Sequence, residues 1–180
     1  MKENLSGTLA IDLGNTNTVL AFQDQTDINP ILIEIPNITS SPGVIPTAVW
    51  FEEPSKIFKI GLSALKMKDN ANSDLFFHSN FKRLIGNPIE KINQKNILKP
   101  NECGEKFFKF LWENIPQKYE IKRLVLTAPI DTYKGYREWL VKLCGKISVD
   151  EIALVDEPTA ASLGINVPFG SKIMTLDIGG

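Results

Sequence analysis

Apolar and polar residues along the 180-residue chain fall into two rhythms, one of short alternating runs and one of helical spacing. Residues 8–13 (TLAIDL) and 18–23 (TVLAFQ) are short and rich in strand-forming residues, and Gly14-Asn15-Thr16-Asn17 between them has the composition of a hairpin turn. Residues 31–35 (ILIEI) and 48–51 (AVWF) predict further strands on either side of a Ser/Pro/Gly loop, and Lys56–Ile60 predicts a short one. Helices are predicted over 62–68 and 75–85, and a loop over 88–100. Between 102 and 115, Phe107, Phe108, Leu111, Trp112 and Ile115 recur at helical spacing, and Pro116 ends that helix. From there the pattern reads strand 124–127, helix 132–147, strand 152–155, short helix 159–163 and strand 173–178. Alternation of this kind implies parallel pairing through right-handed crossovers. A hairpin followed by such a run gives an α/β fold built on a mixed sheet with flanking helices.

Composition narrows the class without naming a function. Hydrophobic residues make up 43% and charged residues 23%, which suits a globular chain and excludes a disordered tail or coiled coil. The length suffices for a real core. No apolar run approaches the roughly 20 residues that span a bilayer, and MKENLSGTLAIDLG lacks signal-peptide character. Cys103 and Cys144 make neither a disulfide framework nor a metal site, so a cytoplasmic setting is expected. Basic residues outnumber acidic ones between 56 and 149, but they alternate with acids and apolar helix positions. That describes a solvated face, with no nucleic acid or membrane partner expected.

Four segments carry candidate chemistry. In Ile11-Asp12-Leu13-Gly14-Asn15-Thr16-Asn17-Thr18 a carboxylate ends an apolar strand beside a turn of glycine and small polar residues. Backbone N–H groups in such a turn can hold an anion, and a carboxylate next to phosphate calls for a cation such as Mg²⁺ between them. The same residues also suit a plain hairpin turn. Asp177-Ile178-Gly179-Gly180 repeats that grammar after a second apolar strand, and the chain looks cut inside a motif there. In Val155-Asp156-Glu157-Pro158-Thr159-Ala160-Ala161-Ser162, Glu157 lies at a strand-to-helix junction, where active-site residues collect in α/β folds and where a glutamate also simply favours a helix start. In Phe81-Lys82-Arg83-Leu84-Ile85-Gly86, two cations stand among apolar neighbours and Gly86 suits a helix C-cap.

Taken in order, IDLGNTNT, FKRLIG, LVLTAPIDTYKGYRE, VDEPTAASLG and TLDIGG resemble the heat shock protein 70 family, in the N-terminal half of its ATPase domain, over about residues 8–180. The resemblance implies the first lobe of an actin-like (ribonuclease H-like) ATPase. That lobe would have a mixed five-stranded core sheet at about 5–36 and 120–180 and a reduced inserted subdomain at about 37–119. A second lobe and a substrate-binding domain would be absent from this stretch. It implies ATP/ADP and Mg²⁺ as ligands. Lys82, Glu157, Asp177 and Asp12 would be the catalytic residues, with Asp12 and Asp177 also holding the metal through water. Gly14, Asn15, Thr16, Asn17, Gly179 and Gly180 would contact phosphate. Pro129 and Arg137 would link nucleotide state to a client-binding domain. The partners implied are unfolded polypeptides, a J-domain co-chaperone and a nucleotide exchange factor, and this stretch alone is expected to be inactive.

The resemblance has gaps. The family usually has Thr at the position of Asn15, and a basic residue and Asn at those of Ala153 and Asp156, near its J-domain contact. The stretch from Gly86 to Leu124 is shorter than in typical members. The opening AIDLGNTNT also resembles type III pantothenate kinases, and an actin-like filament ATPase is a further reading. DEPTAAS and FKRLIG separate the chain from that kinase family.

Overall fold

A computed structural model describes residues 5–53, 55–71, 74–87, 98–129, 134–165, 167–168 and 170–176. Strands β1 (Leu5–Leu13) and β2 (Asn17–Asp24) form the predicted hairpin, with Leu13 opposite Thr18. Strands β3 (Ile31–Leu32) and β4 (Val44–Pro46) share the outer edge of β2. β3 is shorter than the predicted 31–35 because β4 occupies the Asn17–Val19 half of that edge and leaves only Ala21 and Phe22 to pair. The sequence predicts a Ser/Pro/Gly loop here; β4 forms instead, with Pro46 as its last residue, and an edge strand tolerates such a proline.

Strands β5 (Ala48–Glu52), β6 (Ile57–Ile60) and, after helix α1 (Gly61–Ala71), β7 (Phe77–Ser79) make a separate three-stranded antiparallel sheet in the order β6-β5-β7. Here the expected helix over 75–85 is wrong. Phe77 and His78 pair with Trp50 and Val49 instead, Asn80 turns left-handed at φ 55°, and only Lys82–Leu84 makes a 3₁₀ turn. Cross-strand pairing overrides local helical spacing, and asparagine accommodates the left-handed backbone that stops a helix.

Helix α2 (Pro100–Glu113) starts with proline in its first turn, and the Glu102 carboxylate accepts a hydrogen bond from the Lys99 N–H at 3.1 Å. Strand β8 (Tyr119–Ala128) lies parallel to β1, helix α3 (Lys134–Cys144) follows, and β9 (Glu151–Asp156) lies parallel to β8. Helix α4 (Glu157–Gly164) leaves the end of β9 directly. The main sheet thus has six strands in five positions, β3/β4-β2-β1-β8-β9, antiparallel on one side and parallel on the other. This is the mixed α/β architecture expected of an actin-like ATPase lobe.

One face of the sheet is dry. Leu9, Ile11 and Leu13, then Leu20 and Phe22, then Leu124, Leu126 and Ala128 alternate inward along three strands. They join one core with Phe107, Phe108 and Leu111 of α2 and Tyr136, Trp139, Leu140 and Leu143 of α3. Cys103 and Cys144 are buried and unbonded, and burial pushes both thiols up. On the far side, β9 is only half-buried and α4 buries no residue. The predicted strand over 173–178 is not formed at 173–176, where Met174 and Leu176 are exposed; the rest lies outside the described residues. A strand requires a ladder, and among the described residues β9 pairs only with β8.

His78, the one histidine, is buried in β7, and burial holds its pKa below the ordinary 6.5. The folded protein therefore binds this proton less readily than the unfolded chain. Its contribution to stability is complete above about pH 6.5 and is lost as the pH falls toward the depressed folded value. Urea midpoints at pH 7.5 and 5.5 are expected to differ, lower at 5.5, and His78→Gln is expected to narrow the gap. Equal midpoints in the parent would show that His78 charges freely in the fold.

Candidate functional site

The carboxyl-terminal ends of the parallel strands β1, β8 and β9 converge, the position where open α/β sheets place their ligands. Asp12 is next to last in β1 and points away from the face that buries Ile11 and Leu13. On β8, one residue beyond the last β1–β8 pair Ile11–Leu126, the Thr127 hydroxyl donates to Asp12 Oδ1 at 2.5 Å. Beyond Asp12 the chain turns through Gly14, where a Cβ would stand 2.1 Å from the Asn17 carbonyl oxygen, so only glycine closes this turn. The turn is fixed from outside as well. The Thr16 carbonyl accepts from the Thr47 N–H at 2.8 Å, the buried Thr18 and Thr47 hydroxyls meet at 2.8 Å, and Asn15 Nδ2 donates to Asn80 Oδ1 at 2.9 Å.

That last bond joins the turn to the segment carrying Lys82. Buried Phe81 and Ile85 anchor this segment on either side of its 3₁₀ turn. Gly86, at φ +78°, then lies directly on Gly135 at the start of α3; a Cβ on Gly86 would stand 2.2 Å from the Gly135 carbonyl carbon. Gly86 thus plays the terminating part expected of it, after a 3₁₀ turn instead of an α-helix. The placement turns the Lys82 ammonium inward, to 2.8 Å from Glu157 Oε1 and 5.4 Å from the centre of the Tyr136 ring. The side chains of Lys82 and Glu157 are 13% and 23% exposed, so this pair is far better shielded than the surface ion pairs of the chain.

Glu157 is the first residue of α4 and Pro158 follows within the first turn. Asp156 occupies the N-cap but makes no side-chain cap; its Oδ1 meets Arg137 Nη1 at 3.3 Å. Together these elements enclose an open cleft of about 570 Å³. Asp12, the Gly14–Asn17 turn, Lys82, Pro129, Tyr136 and Glu157 line it. Of the residues singled out in the sequence, Asp12, Gly14, Asn15, Thr16, Asn17, Lys82, Pro129 and Glu157 share this cleft, and Arg137 stands beside it on α3, paired to Asp156. Asp177, Gly179 and Gly180 lie outside the described residues.

Tyr136 was not singled out. It is 1% exposed, and its hydroxyl has no hydrogen-bond partner among the described residues. Its spacing with Trp139, Leu140 and Leu143 marks it as core, which its ring is. The usable signal is a tyrosine at the start of that apolar stripe, in the first turn of the helix that follows β8.

The donor set fits a phosphate ligand with a hydrated cation. Among the described residues no three His, Cys, Asp or Glu side chains gather to ligate a metal directly. The exposed Asp12 carboxylate shares the cleft with the Lys82–Glu157 pair and with Tyr136, whose hydroxyl has no partner among the described residues. Mg²⁺ suits such a site, since it keeps several waters and takes one or two carboxylates. Also among the described residues, no helix is long and apolar enough to cross a membrane.

No family model matches the chain. Among curated proteins it is 30% identical over 178 residues to the chaperone protein DnaK of Mycoplasmopsis synoviae and 31% identical over 180 residues to that of Metamycoplasma hominis. It is 26% identical over 210 residues to the chaperone protein DnaK of Cyanidium caldarium. Each match takes in 96% of this chain, and the chain spans 28–31% of the length of these relatives. Motifs, mixed sheet and relatives agree: over nearly its whole length this chain is similar to chaperones of the heat shock protein 70 family.

Proposed function

We propose that the chain is the ATP-binding and ATP-hydrolysing lobe of a heat shock protein 70-like chaperone, coupling nucleotide state to the binding of unfolded polypeptides in the full-length protein. The observation that carries this reading is the shielded Lys82–Glu157 pair, 2.8 Å apart, in a cleft shared with Asp12 and the Gly14–Asn17 turn. Phosphoryl transfer to water demands little covalent chemistry from a protein, so positioning and charge neutralisation are what such a set would supply. The Gly14–Asn17 turn would cradle phosphate through its backbone N–H groups and the Asn15, Thr16 and Asn17 side chains. Lys82 would hold its charge against the terminal phosphate. Glu157, oriented by Lys82, would accept a proton from the attacking water. A bound Mg²⁺ would neutralise phosphate charge, and Asp12, fixed by Thr127, would orient its waters, with Asp177 as a second carboxylate and Gly179 and Gly180 continuing the phosphate contacts. Residues of about 37–119 would form the inserted subdomain, which includes the three-stranded sheet and α1.

Pro129, at the cleft wall, and Arg137, tied to the end of β9, would pass nucleotide state onward. A J-domain co-chaperone would meet an altered surface at Ala153 and Asp156, where the Asp156 carboxylate is engaged by Arg137. A nucleotide exchange factor and a cytoplasmic setting complete the proposal. In the full-length protein, Asp12→Asn is expected to slow Mg²⁺-dependent ATP hydrolysis at least roughly tenfold while leaving ATP affinity within a few-fold. Calorimetry beside a phosphate-release assay, with and without pantothenate, makes the test. Phosphate transfer to pantothenate, or no ATP binding by the parent, would overturn the reading.

A further inference from the structure

Tyr136 poses a problem in hydrogen bonding that the residues around it do not solve. Its ring sits in the core between sheet and helices and the residue lines the cleft, yet its buried hydroxyl finds no partner among the described residues. A buried O–H without an acceptor is expensive, and native structures rarely keep one without a use. Two carboxylates line the same cleft, but each is held by another donor and neither meets the Tyr136 hydroxyl. Asp12 Oδ1 takes the Thr127 hydroxyl, and Glu157 Oε1 takes the Lys82 ammonium. Burial, reinforced by the negative charges of Glu157 and Asp12, holds the phenol far above its ordinary pKa, so it stays a donor at any working pH. What it lacks is an acceptor brought from outside.

The ring identifies where that acceptor sits. The Lys82 ammonium lies over the ring, 5.4 Å from its centre and within cation–π range, and both residues line the cleft. An anionic oxygen drawn to Lys82 comes within the neighbourhood of the Tyr136 O–H.

Resting on the nucleotide reading above, we propose that Tyr136 is a phosphate-binding residue, its hydroxyl donating to an oxygen of the terminal phosphate of ATP while its ring seats the Lys82 ammonium. It supplies a neutral donor in a cleft that already carries two carboxylates, where a further donor adds attraction for phosphate without adding charge.

Tyr136→Phe isolates the hydroxyl, since ring, packing and cation–π contact persist. Calorimetry on the full-length protein with Mg·ATP and Mg·ADP reads the effect. Affinity for Mg·ATP is expected to fall about tenfold, as for a lost bond to a charged acceptor, with Mg·ADP within about twofold. The melting temperature without ligand is expected to stay level or rise, because the variant removes a buried donor that has no partner. If the parent binds neither nucleotide, the nucleotide reading itself falls. If the parent binds and the variant binds Mg·ATP equally well, or loses both nucleotides alike, the assignment of Tyr136 to the terminal phosphate is overturned and the nucleotide reading stands. A ligand-free variant that melts several degrees lower would likewise overturn it, by revealing a structural partner for the hydroxyl.

Discussion

Phe107→Ala is expected to lower the unfolding free energy by about 3–5 kcal/mol, the range for deleting a fully buried aromatic ring. Phe107 is wholly buried on α2 and faces the sheet within the main core. Its ring centre lies 5.9 Å from that of Phe81, the residue immediately before Lys82. The cavity would therefore open beneath the segment that aims the ammonium, and a loss of site geometry should accompany the loss of stability. Urea denaturation reads the first effect. Phe107→Leu, which keeps most of the volume, should cost well under half as much. A change below about 1 kcal/mol for the alanine variant would mean that the surrounding side chains collapse into the space and that α2 is not the rigid backing described here.

Lys82→Ala carries the second large effect. In the full-length protein, single-turnover hydrolysis of ATP is expected to slow about a hundredfold, close to 2.7 kcal/mol of barrier, the scale for removing one preorganised charge from a transition state. The variant should also lose stability. Glu157 would keep its shielded position at 23% exposure without the ammonium 2.8 Å away. For a pair between the surface and fully buried cases that costs about 1–2 kcal/mol. Changing Glu157 to Gln in the Lys82→Ala background should recover most of that stability and none of the activity. Rates within threefold of the parent would remove Lys82 from the mechanism.

The parts of this fold that could be read from sequence are those whose pattern is set by burial on one side. The hairpin of β1 and β2 alternates because one face is dry, and α2 and α3 show helical spacing for the same reason. The parts that could not be read depend on partners distant in the chain. β4 is a strand because β2 has an open half-edge, and β7 is a strand because β5 offers one. Residues 173–176 carry strand-like composition without a ladder beside them. The site divides along the same line. Asp12, Lys82 and Glu157 stand in recognisable local motifs, and their proximity is a product of the sheet. Tyr136 has no motif of its own, and the case for it rests on a buried hydroxyl without a partner among the described residues.

The contact between Gly86 and Gly135 has a mechanical meaning. A Cβ on Gly135 would stand 2.4 Å from the Gly86 carbonyl oxygen, so two main chains touch with no side chain between them. Side chains ordinarily act as a compliant layer, taking up small displacements by changing rotamer. Here that layer is missing, and close-packed main chain yields little. A shift of α3 of a few tenths of an ångström would be handed to the Lys82 turn without backlash. Arg137, two residues beyond Gly135 and half-exposed, pairs with Asp156 at the end of β9, so the joint lies one ion pair from the last strand of the sheet.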